Sequence, residues 1–260
     1  MEHLVARAAH VNVDSLGGVG AAVLENSAAM TELRHLAAEA VQAVTNQAYK
    51  GKRKARNSDE SFVGIGIPSM LGSISEQAHK HDAARNALGW WWHTPHDLLD
   101  KIDEANLVRD TRVLWHVCWR LASETLLPLD HAATAAALVR EIEAITPELE
   151  GRFPIGALLE AAKALQAAAA RPFAGRDVPA RNAALMRASR ALVPVDYTTG
   201  DRFGHDPALP VPPWPVLQPL RDLAQTEPGS DAEKYAAVEA YRARNRLAFA
   251  IREATAALEA

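Results

Sequence analysis

The second half of the chain constrains the fold most, because its residue pattern fits helices and nothing else. Alanine-rich segments recur there with apolar positions at helical spacing, and none of them alternates as a half-buried strand does. The predicted helices cover 131–146, 154–170, 180–193 and a last segment from about Asp231 to Leu258. We therefore predict an all-α bundle over residues 128–260, which serves packing or pairing with another subunit.

Residues 1–127 instead carry short apolar runs that end at glycines, a pattern typical of strands joined by turns. Residues 4–16 predict a buried strand that reaches the Gly17-Gly18 turn. The segment ends in the alternating, β-branched run HVNVD, so we expect Asp14 at the strand's C-terminal end. The elements expected next are a strand over 20–26, a helix capped by Asn26 or Ser27 and ending near Gln47, a strand over 62–72, and a helix from Asp103 to about Leu127. Strands alternating with helices predict an α/β domain.

Three smaller patterns also predict local structure. Thr94, Pro95 and Asp97 match a helix start, with a capping residue, a proline at the first helical position and an acid at the third. Cys118 falls on the apolar spacing of the helix after Asp103, which predicts a core position. The prolines concentrated in 194–228 predict an extended connection.

The composition limits the kinds of partner. The 260 residues are 48% hydrophobic, enough for a core, and 28 basic against 32 acidic residues leave a net charge of −4. No global positive field therefore favours nucleic acid or an anionic membrane, and we expect the basic run at 50–56 to be a solvated loop. One cysteine, no apolar run of about 20 residues and no secretory signal predict a cytoplasmic protein without a membrane anchor.

Several motifs follow one another in an order that resembles a known family. They are HVNVDSLGG at 10–18, NSDESF at 57–62, GIPSML at 66–71 and WWWHTPHDLLDKID at 90–103. This order and spacing is similar to the zinc aminopeptidase and glutamate carboxypeptidase family, whose relatives include the transferrin receptor ectodomain. The resemblance implies the C-terminal part of a three-layer αβα zinc-exopeptidase domain over residues 1–127, followed by a helical, dimerisation-like bundle over 128–260.

The resemblance also implies a metal site. Family members hold two zinc ions, and the Asn-x-Asp aspartate and the His-Thr-Pro histidine correspond to Asp14 and His93, one on each metal. Carboxylate oxygen and imidazole nitrogen are ligands that zinc accepts, and the metal pair would activate a water that attacks a peptide or amide carbonyl. Asp97 would support the site, and Ser58 and Asp59 correspond to a family pair near the substrate pocket.

The remaining site residues of the family have no counterpart in this sequence. The other ligands and the general-base glutamate precede the Asn-x-Asp strand in the family, whereas thirteen residues precede Asp14 here and supply none of them. One ligand per metal is too few for zinc, which takes three or four, so we assign no catalytic residue. We expect a second polypeptide to bring the missing ligands and to cover strand edges left open by the missing part of the sheet.

Two functions fit these observations. The first is a component of a zinc-dependent metallopeptidase or amide hydrolase, in a homo-oligomer formed through the helical bundle and with a peptide or amide as substrate. The second is a catalytically inactive interaction or dimerisation module, or a truncated fragment of such an enzyme. The pocket residues that would determine substrate specificity lie partly in the half of the family domain that has no counterpart here.

Each candidate residue also has a structural interpretation. Asp14 could end a strand at a turn, Asp97 could cap a helix, and His93 could pack against Trp91 or Trp92. The tryptophans of 90–92 fit a pocket wall and an interface equally well. Two other histidine groupings, His93 with His96 and His79 with His81, suggest alternative metal sites more weakly.

Overall fold

The computed structural model describes residues 7–54, 62–78, 87–204 and 212–260. These residues contain both helices and strands and form two compact units. An α/β unit contains 9–54 and the described part of 69–128, and a helical unit contains the described part of 129–260 together with 62–68 and 7–8. Each unit has its own core, and the site residues identified by the motifs at 10–18 and 90–103 belong to the α/β unit.

The α/β unit is built on short strands. They are β1 (His10–Val13), β2 (Ala21–Val23), β3 (Ala28–Ala29), β4 (Lys52–Arg53), β5 (Ser69–Gly72) and β6 (Glu76–Gln77). One sheet has the order β1-β5-β3-β4, and β2 pairs antiparallel with β6. In the main sheet β1 runs parallel to β5, with His10 beside Ser69 and Val13 beside Gly72.

The prediction that β1 is a buried strand is wrong. Among the described residues β1 is an edge strand that pairs with β5, and Val13 at its end is 48% exposed. The alternation of HVNV sets the strand conformation, but burial of the strand depends on neighbours that the local pattern does not encode.

Helix α1 (Arg34–Thr45) begins later than the capping pattern at Asn26 and Ser27 predicts. The chain first forms β3, and the backbone N–H of Met30 donates to the carbonyl of Ser69 at 2.9 Å. Pairing with the sheet therefore satisfies the backbone groups that an earlier helix would have used. Once formed, α1 buries Leu36, Ala37, Ala40 and Val41.

The strand predicted over 62–72 is strand only from Ser69 onward. Residues Val63–Ile65 form a single 3-10 turn, and Gly66 follows with φ +77°. A Cβ at Gly66 would lie 2.4 Å from the Cα of Arg190, and the carbonyl of Gly66 accepts from the Arg190 guanidinium at 2.7 Å. This turn packs against a helix of the helical unit, and glycine is required by both its φ and the close approach.

The helix-start pattern at Thr94 begins no α-helix among the described residues, whereas the helix predicted from Asp103 is confirmed as α2 (Glu104–Ser123). Asp103 caps it, accepting from the N–H of Asn106 at 2.8 Å, while the Thr94 hydroxyl donates to the carbonyl of Trp91 at 2.6 Å and closes a turn. The Thr94 hydroxyl also accepts from the N–H of His96 at 3.2 Å, as a capping residue would, but the chain continues as turns and no α-helix of the described residues follows until α2.

The prediction that Cys118 lies in the core is also wrong. Helix α2 buries Asp110, Val113 and Val117, and it packs this side against α1. Cys118 is exposed, and Trp115 and Trp119 beside it are 65% and 57% exposed, with stacked rings 5.9 Å apart. Apolar residues occupy two sides of α2, and the described part of the chain covers one of them.

Five helices make up most of the helical unit. They are α3 (His131–Leu149), α4 (Gly156–Ala169), α5 (Val178–Tyr197), α6 (Gln218–Ala224) and α7 (Asp231–Glu259). Helix α7 packs against α4, α5 and α6, and α3 packs against α4 and α6. The helices predicted from 131, 154, 180 and 231 are confirmed, and the side chains of Asp130, Asp177 and Ser230 cap α3, α5 and α7.

The proline-rich stretch 194–228 is more helical than predicted. Pro194 lies inside α5, and Pro215 and Pro219 stand in the first turns of a 3-10 segment and of α6. Prolines are tolerated in a first turn because the missing N–H has no helical partner there. Between these elements Trp214 is 1% exposed. Residues 205–211 lie outside the described residues.

A buried histidine makes the helical unit sensitive to acid. The Nε2 of His131 meets the carbonyl of Leu185 at 2.9 Å, while its Nδ1 is buried without a hydrogen-bond partner in the described structure. Burial lowers the pKa of His131 from 6.5 to about 4. The neutral ring is therefore the folded form, since a proton on Nδ1 would find no acceptor.

We expect His131 to lower the free energy of unfolding of the helical unit by about 3 kcal/mol as pH falls from 6.5 to 4, at about 1.4 kcal/mol per unit of pKa depression. The sign follows because the unfolded chain takes up the proton in that range and the folded chain does not. His131→Gln keeps a donor for Leu185 but does not titrate. Urea unfolding of both proteins at pH 7 and pH 4.5 should show the larger loss in the wild type, and equal losses would contradict the assignment.

No helix of the described residues is long and apolar enough to cross a membrane.

Candidate functional site

Asp14 and His93 line the same cavity of the α/β unit. The cavity has a volume of about 290 Å³, and its other polar side chains include Ser75, Asp97 and Lys101. Its apolar walls are supplied by Leu16, Leu88, Trp91, Trp92 and Ile102. Residues from two distant sequence motifs therefore line one cavity, which is open to solvent, since Asp14, His93 and Asp97 are all exposed.

Asp14 is held at the C-terminal end of β1 by continued pairing with β5. Its backbone N–H donates to the carbonyl of Gly72 at 3.2 Å, and one residue later the carbonyl of Ser15 accepts from Ile74 at 3.3 Å. The two parallel strands thus stay joined past their formal ends. A ligand placed on such a strand end is positioned by the sheet, as a rigid binding site requires.

The turn after Asp14 can be made only with glycine at position 17. Gly17 has φ +69°, and a Cβ there would lie 2.6 Å from the Cβ of Leu107. Its carbonyl accepts from the N–H of Asp103 at 2.8 Å, the residue that caps α2. The loop carrying Asp14 is therefore fastened to the start of α2.

A buried carboxylate fixes the wall of the cavity. Asp110 is fully buried, and its Oδ2 accepts from the N–H of Gly17 at 2.9 Å and from the hydroxyl of Ser75 at 2.5 Å. The guanidinium of Arg109 binds the other oxygen at 2.8 Å. The sequence motifs did not identify this residue. The available signal was an acid on the buried side of α2, three residues before Val113 and seven before Val117.

His93 has a backbone conformation that few residues of its kind adopt. Its φ is +59°, in the left-handed region, which costs about 1–2 kcal/mol for a residue with a Cβ. The imidazole stacks on Trp92 with centroids 3.6 Å apart and planes 16° apart. Strained backbone of this kind is concentrated at functional sites, where the surroundings hold a side chain in one place.

The charges around the cavity favour a cation. Asp14 and Asp97 contribute two carboxylates, and His93 contributes an imidazole. The one ammonium among the lining residues, that of Lys101, forms an ion pair with Asp100, whose pKa its hydrogen bond lowers. An excess of negative charge in a small, walled space attracts positive ions.

The alternatives for the neighbouring residues resolve in different ways. Trp91 and Trp92 line the cavity, whereas Trp90 is 60% exposed and meets Trp91 edge to face. Asp97 caps no helix of the described residues, since it lies in the turn after Thr94, and it is an exposed residue that lines the cavity. His96 is exposed, packs its ring against Trp90 at 5.4 Å and is not among the residues that line the cavity.

Part of the basic run is not a solvated loop. Lys54 is 5% exposed, and its Nζ donates to the carbonyl of Leu71 at 2.5 Å, next to the end of β5. Lys52 and Arg53 form β4. Ser58 and Asp59, and likewise His79 and His81, lie outside the described residues.

The donors in the cavity suit zinc in kind but not in number. Within the described ranges no group of three or more histidine, cysteine, aspartate or glutamate side chains is arranged to hold a metal ion. A zinc site needs at least three protein ligands, and Asp14 and His93 are two.

No protein-family model matches the chain, and no curated protein matches it.

Proposed function

We propose that this chain is one component of a zinc-dependent metallopeptidase or amide hydrolase. It contributes Asp14 and His93, and a second polypeptide contributes the remaining ligands and the general base. The observation that carries the proposal is that these two residues, taken from the most family-like motifs, line one cavity at the end of a parallel strand pair. The α/β unit would then be the C-terminal part of a three-layer αβα domain.

The incomplete ligand set supports a shared site over a self-sufficient one. With one ligand on each of two zinc ions, this chain alone would hold neither ion firmly, and the described residues contain no group of three or more donors arranged to hold a metal. The negative excess of the cavity still attracts metal, and the sheet and Asp110 keep Asp14 in place. We derive no catalytic step through the metals, because the groups that would complete them belong to the proposed partner.

Two surfaces of the α/β unit support a partner chain. Among the described residues β1 is an edge strand, so a further strand could pair with the backbone groups of its outer side. On α2, the exposed residues Val108, Trp115 and Trp119 follow one another at helical spacing, and we name them the α2 apolar face. Exposed tryptophans gathered on one face mark interaction sites in soluble proteins.

Co-expression with the polypeptide encoded directly upstream tests the proposal, and a His-x-Asp motif and a Glu-Glu pair in that polypeptide would mark it as the partner. We expect the two chains to co-purify in a stable 1:1 complex. Trp115→Ser with Trp119→Ser should weaken the complex by about tenfold or more, because central tryptophans carry much of an interface's energy. Phe203→Ser, at an exposed aromatic residue outside α2 and α7, is the matched control. If the double tryptophan variant co-purified with the partner as well as the wild type does, α2 would not belong to the interface.

A second function is favoured by one observation on α7. Tyr235, Val238, Tyr241 and Phe249 are all exposed along this helix. Such a surface suits pairing of two copies, as expected of a catalytically inactive dimerisation module. Two measurements distinguish the two proposed functions: light scattering on the purified chain, and zinc analysis in the presence of the upstream polypeptide. A stable dimer that never binds zinc would favour the inactive module.

A further inference from the structure

A second cavity with charged side chains lies in the helical unit, away from the motifs discussed so far. It has a volume of about 460 Å³ and is lined by residues of α7, of α6 and of the 3-10 segment before α6. Helix α7 packs against both of these elements, and the turn that follows α5 also lines the cavity. Ligand-binding pockets commonly have about 300–1,000 Å³, so a small organic molecule fits.

Helix α7 contributes two arginines to this cavity. Arg242 and Arg246 both line it, and they lie four residues apart on the helix. Residues at this spacing stand on the same face of a helix with their Cβ atoms about 5–6 Å apart, so the two guanidinium groups can reach one anion. Both residues are exposed, and neither has to leave a packed position to do so.

Both guanidinium groups have donors left for a ligand. In the described residues Arg246 makes no hydrogen bond or ion pair, and Arg242 donates from its Nη1 to Glu239 at 2.6 Å. A guanidinium has five N–H donors, so Arg242 keeps most of its own. Glu239 is the one carboxylate among the described residues that line the cavity, and the two arginines therefore leave an excess of one positive charge.

The other elements add neutral donors and apolar surface. The turn after α5 contributes the hydroxyl of Thr199 and also Gly200, whose backbone N–H makes no hydrogen bond in the described residues. The 3-10 segment and α6 contribute Pro215, Val216 and Pro219, and the first two of these are buried. The cavity therefore combines donors for an anionic group with a surface that a small hydrocarbon body can cover.

We propose that this cavity binds the phosphate monoester of a small organic molecule. The phosphate group lies between Arg242 and Arg246, and the organic body covers Pro215 and Pro219. Two guanidinium groups favour a phosphate because its three terminal oxygens accept bidentate hydrogen bonds and its charge at pH 7 is about −1.5 to −2. A monocarboxylate has two oxygens and a single charge, so it satisfies fewer of these donors.

Calorimetric titration of the full chain with phenyl phosphate tests the proposal, with benzoate and inorganic phosphate as comparison probes. We expect phenyl phosphate to bind more tightly than either of them. Arg242→Gln with Arg246→Gln should weaken the binding of phenyl phosphate about tenfold or more. The matched control is Arg140→Gln with Arg176→Gln, which removes two exposed arginines that do not line the cavity and should leave the affinity unchanged.

Glu239→Gln tests the same site in the opposite direction. It removes the carboxylate that competes for Arg242 and raises the positive excess of the cavity by one charge, so phenyl phosphate should bind several-fold more tightly. A misfolded variant would not gain affinity, and circular dichroism checks that the double arginine variant is folded.

Five results would each overturn the proposal. They are binding of benzoate as tight as that of phenyl phosphate, binding of inorganic phosphate as tight as that of phenyl phosphate, full binding by the double arginine variant, an equal loss in the control pair, and no gain with Glu239→Gln.

Discussion

Asp110→Ala should lower the free energy of unfolding of the α/β unit by about 3–5 kcal/mol, the range found when one partner of a buried ion pair is removed. The loss is large because three donors depend on this carboxylate. They are the N–H of Gly17, the hydroxyl of Ser75 and the guanidinium of Arg109. The N–H of Gly17 and the hydroxyl of Ser75 would be left without this acceptor in a buried site, and the part-exposed Arg109 would lose one of its partners.

The matched control is Asp177→Ala. That aspartate caps α5 from an exposed position, accepting from the N–H of Ala180 at 3.0 Å, and its loss should cost about 1 kcal/mol. Chemical unfolding followed by tryptophan fluorescence measures both changes, since Trp91 and Trp92 report on the α/β unit and Trp214 reports on the helical unit. A cost for Asp110→Ala as small as that of the control would show that Asp110 does not anchor the loop after Asp14.

In the proposed complex with a partner polypeptide, Asp14→Asn and His93→Asn should each reduce amide hydrolysis by at least about a hundredfold. Substitutions of the residues that merely orient metal ligands already cost about 10–100-fold, so loss of a ligand should cost no less. Asparagine is chosen at position 93 because it tolerates the left-handed φ of +59° better than most residues. The backbone is thereby kept while the imidazole is removed.

His96→Asn is the control for this pair. It changes a histidine three residues away that is exposed and does not line the cavity. A panel of aminoacyl p-nitroanilides and N-acylated glutamates covers the substrate classes implied by the family resemblance. If His96→Asn reduced hydrolysis as much as His93→Asn, the histidine assignment would be wrong.

The helices of the helical unit were predictable because their signals are local. Alanine content, apolar spacing and capping residues such as Asp130, Asp177 and Ser230 all lie within each helix. The small strands were harder, since β3 and β4 are two residues long and exist through pairing with partners far along the chain. The same dependence explains why the capping pattern at Ser27 failed to start a helix.

In the candidate site, the motifs identified the residues that line the cavity, and packing determined the rest. Asp14 and His93 stand in distinctive sequence contexts, whereas Asp110 and Lys54 become notable only once they are seen to be buried. Burial of a charged residue depends on long-range neighbours, which a single sequence does not display. The exposure of Cys118 has the same origin, because helical spacing alone does not say which of two apolar sides is covered.

The central claim is that this chain supplies half of a two-zinc site. The most direct measurement is the zinc content of the purified complex with its partner polypeptide, determined by mass spectrometry of the metal, in the wild type and in His93→Asn. We expect about two zinc ions per wild-type complex, about one fewer in His93→Asn, and no tightly bound zinc in this chain alone. A complex without zinc, or a zinc content that His93→Asn leaves unchanged, would contradict the account.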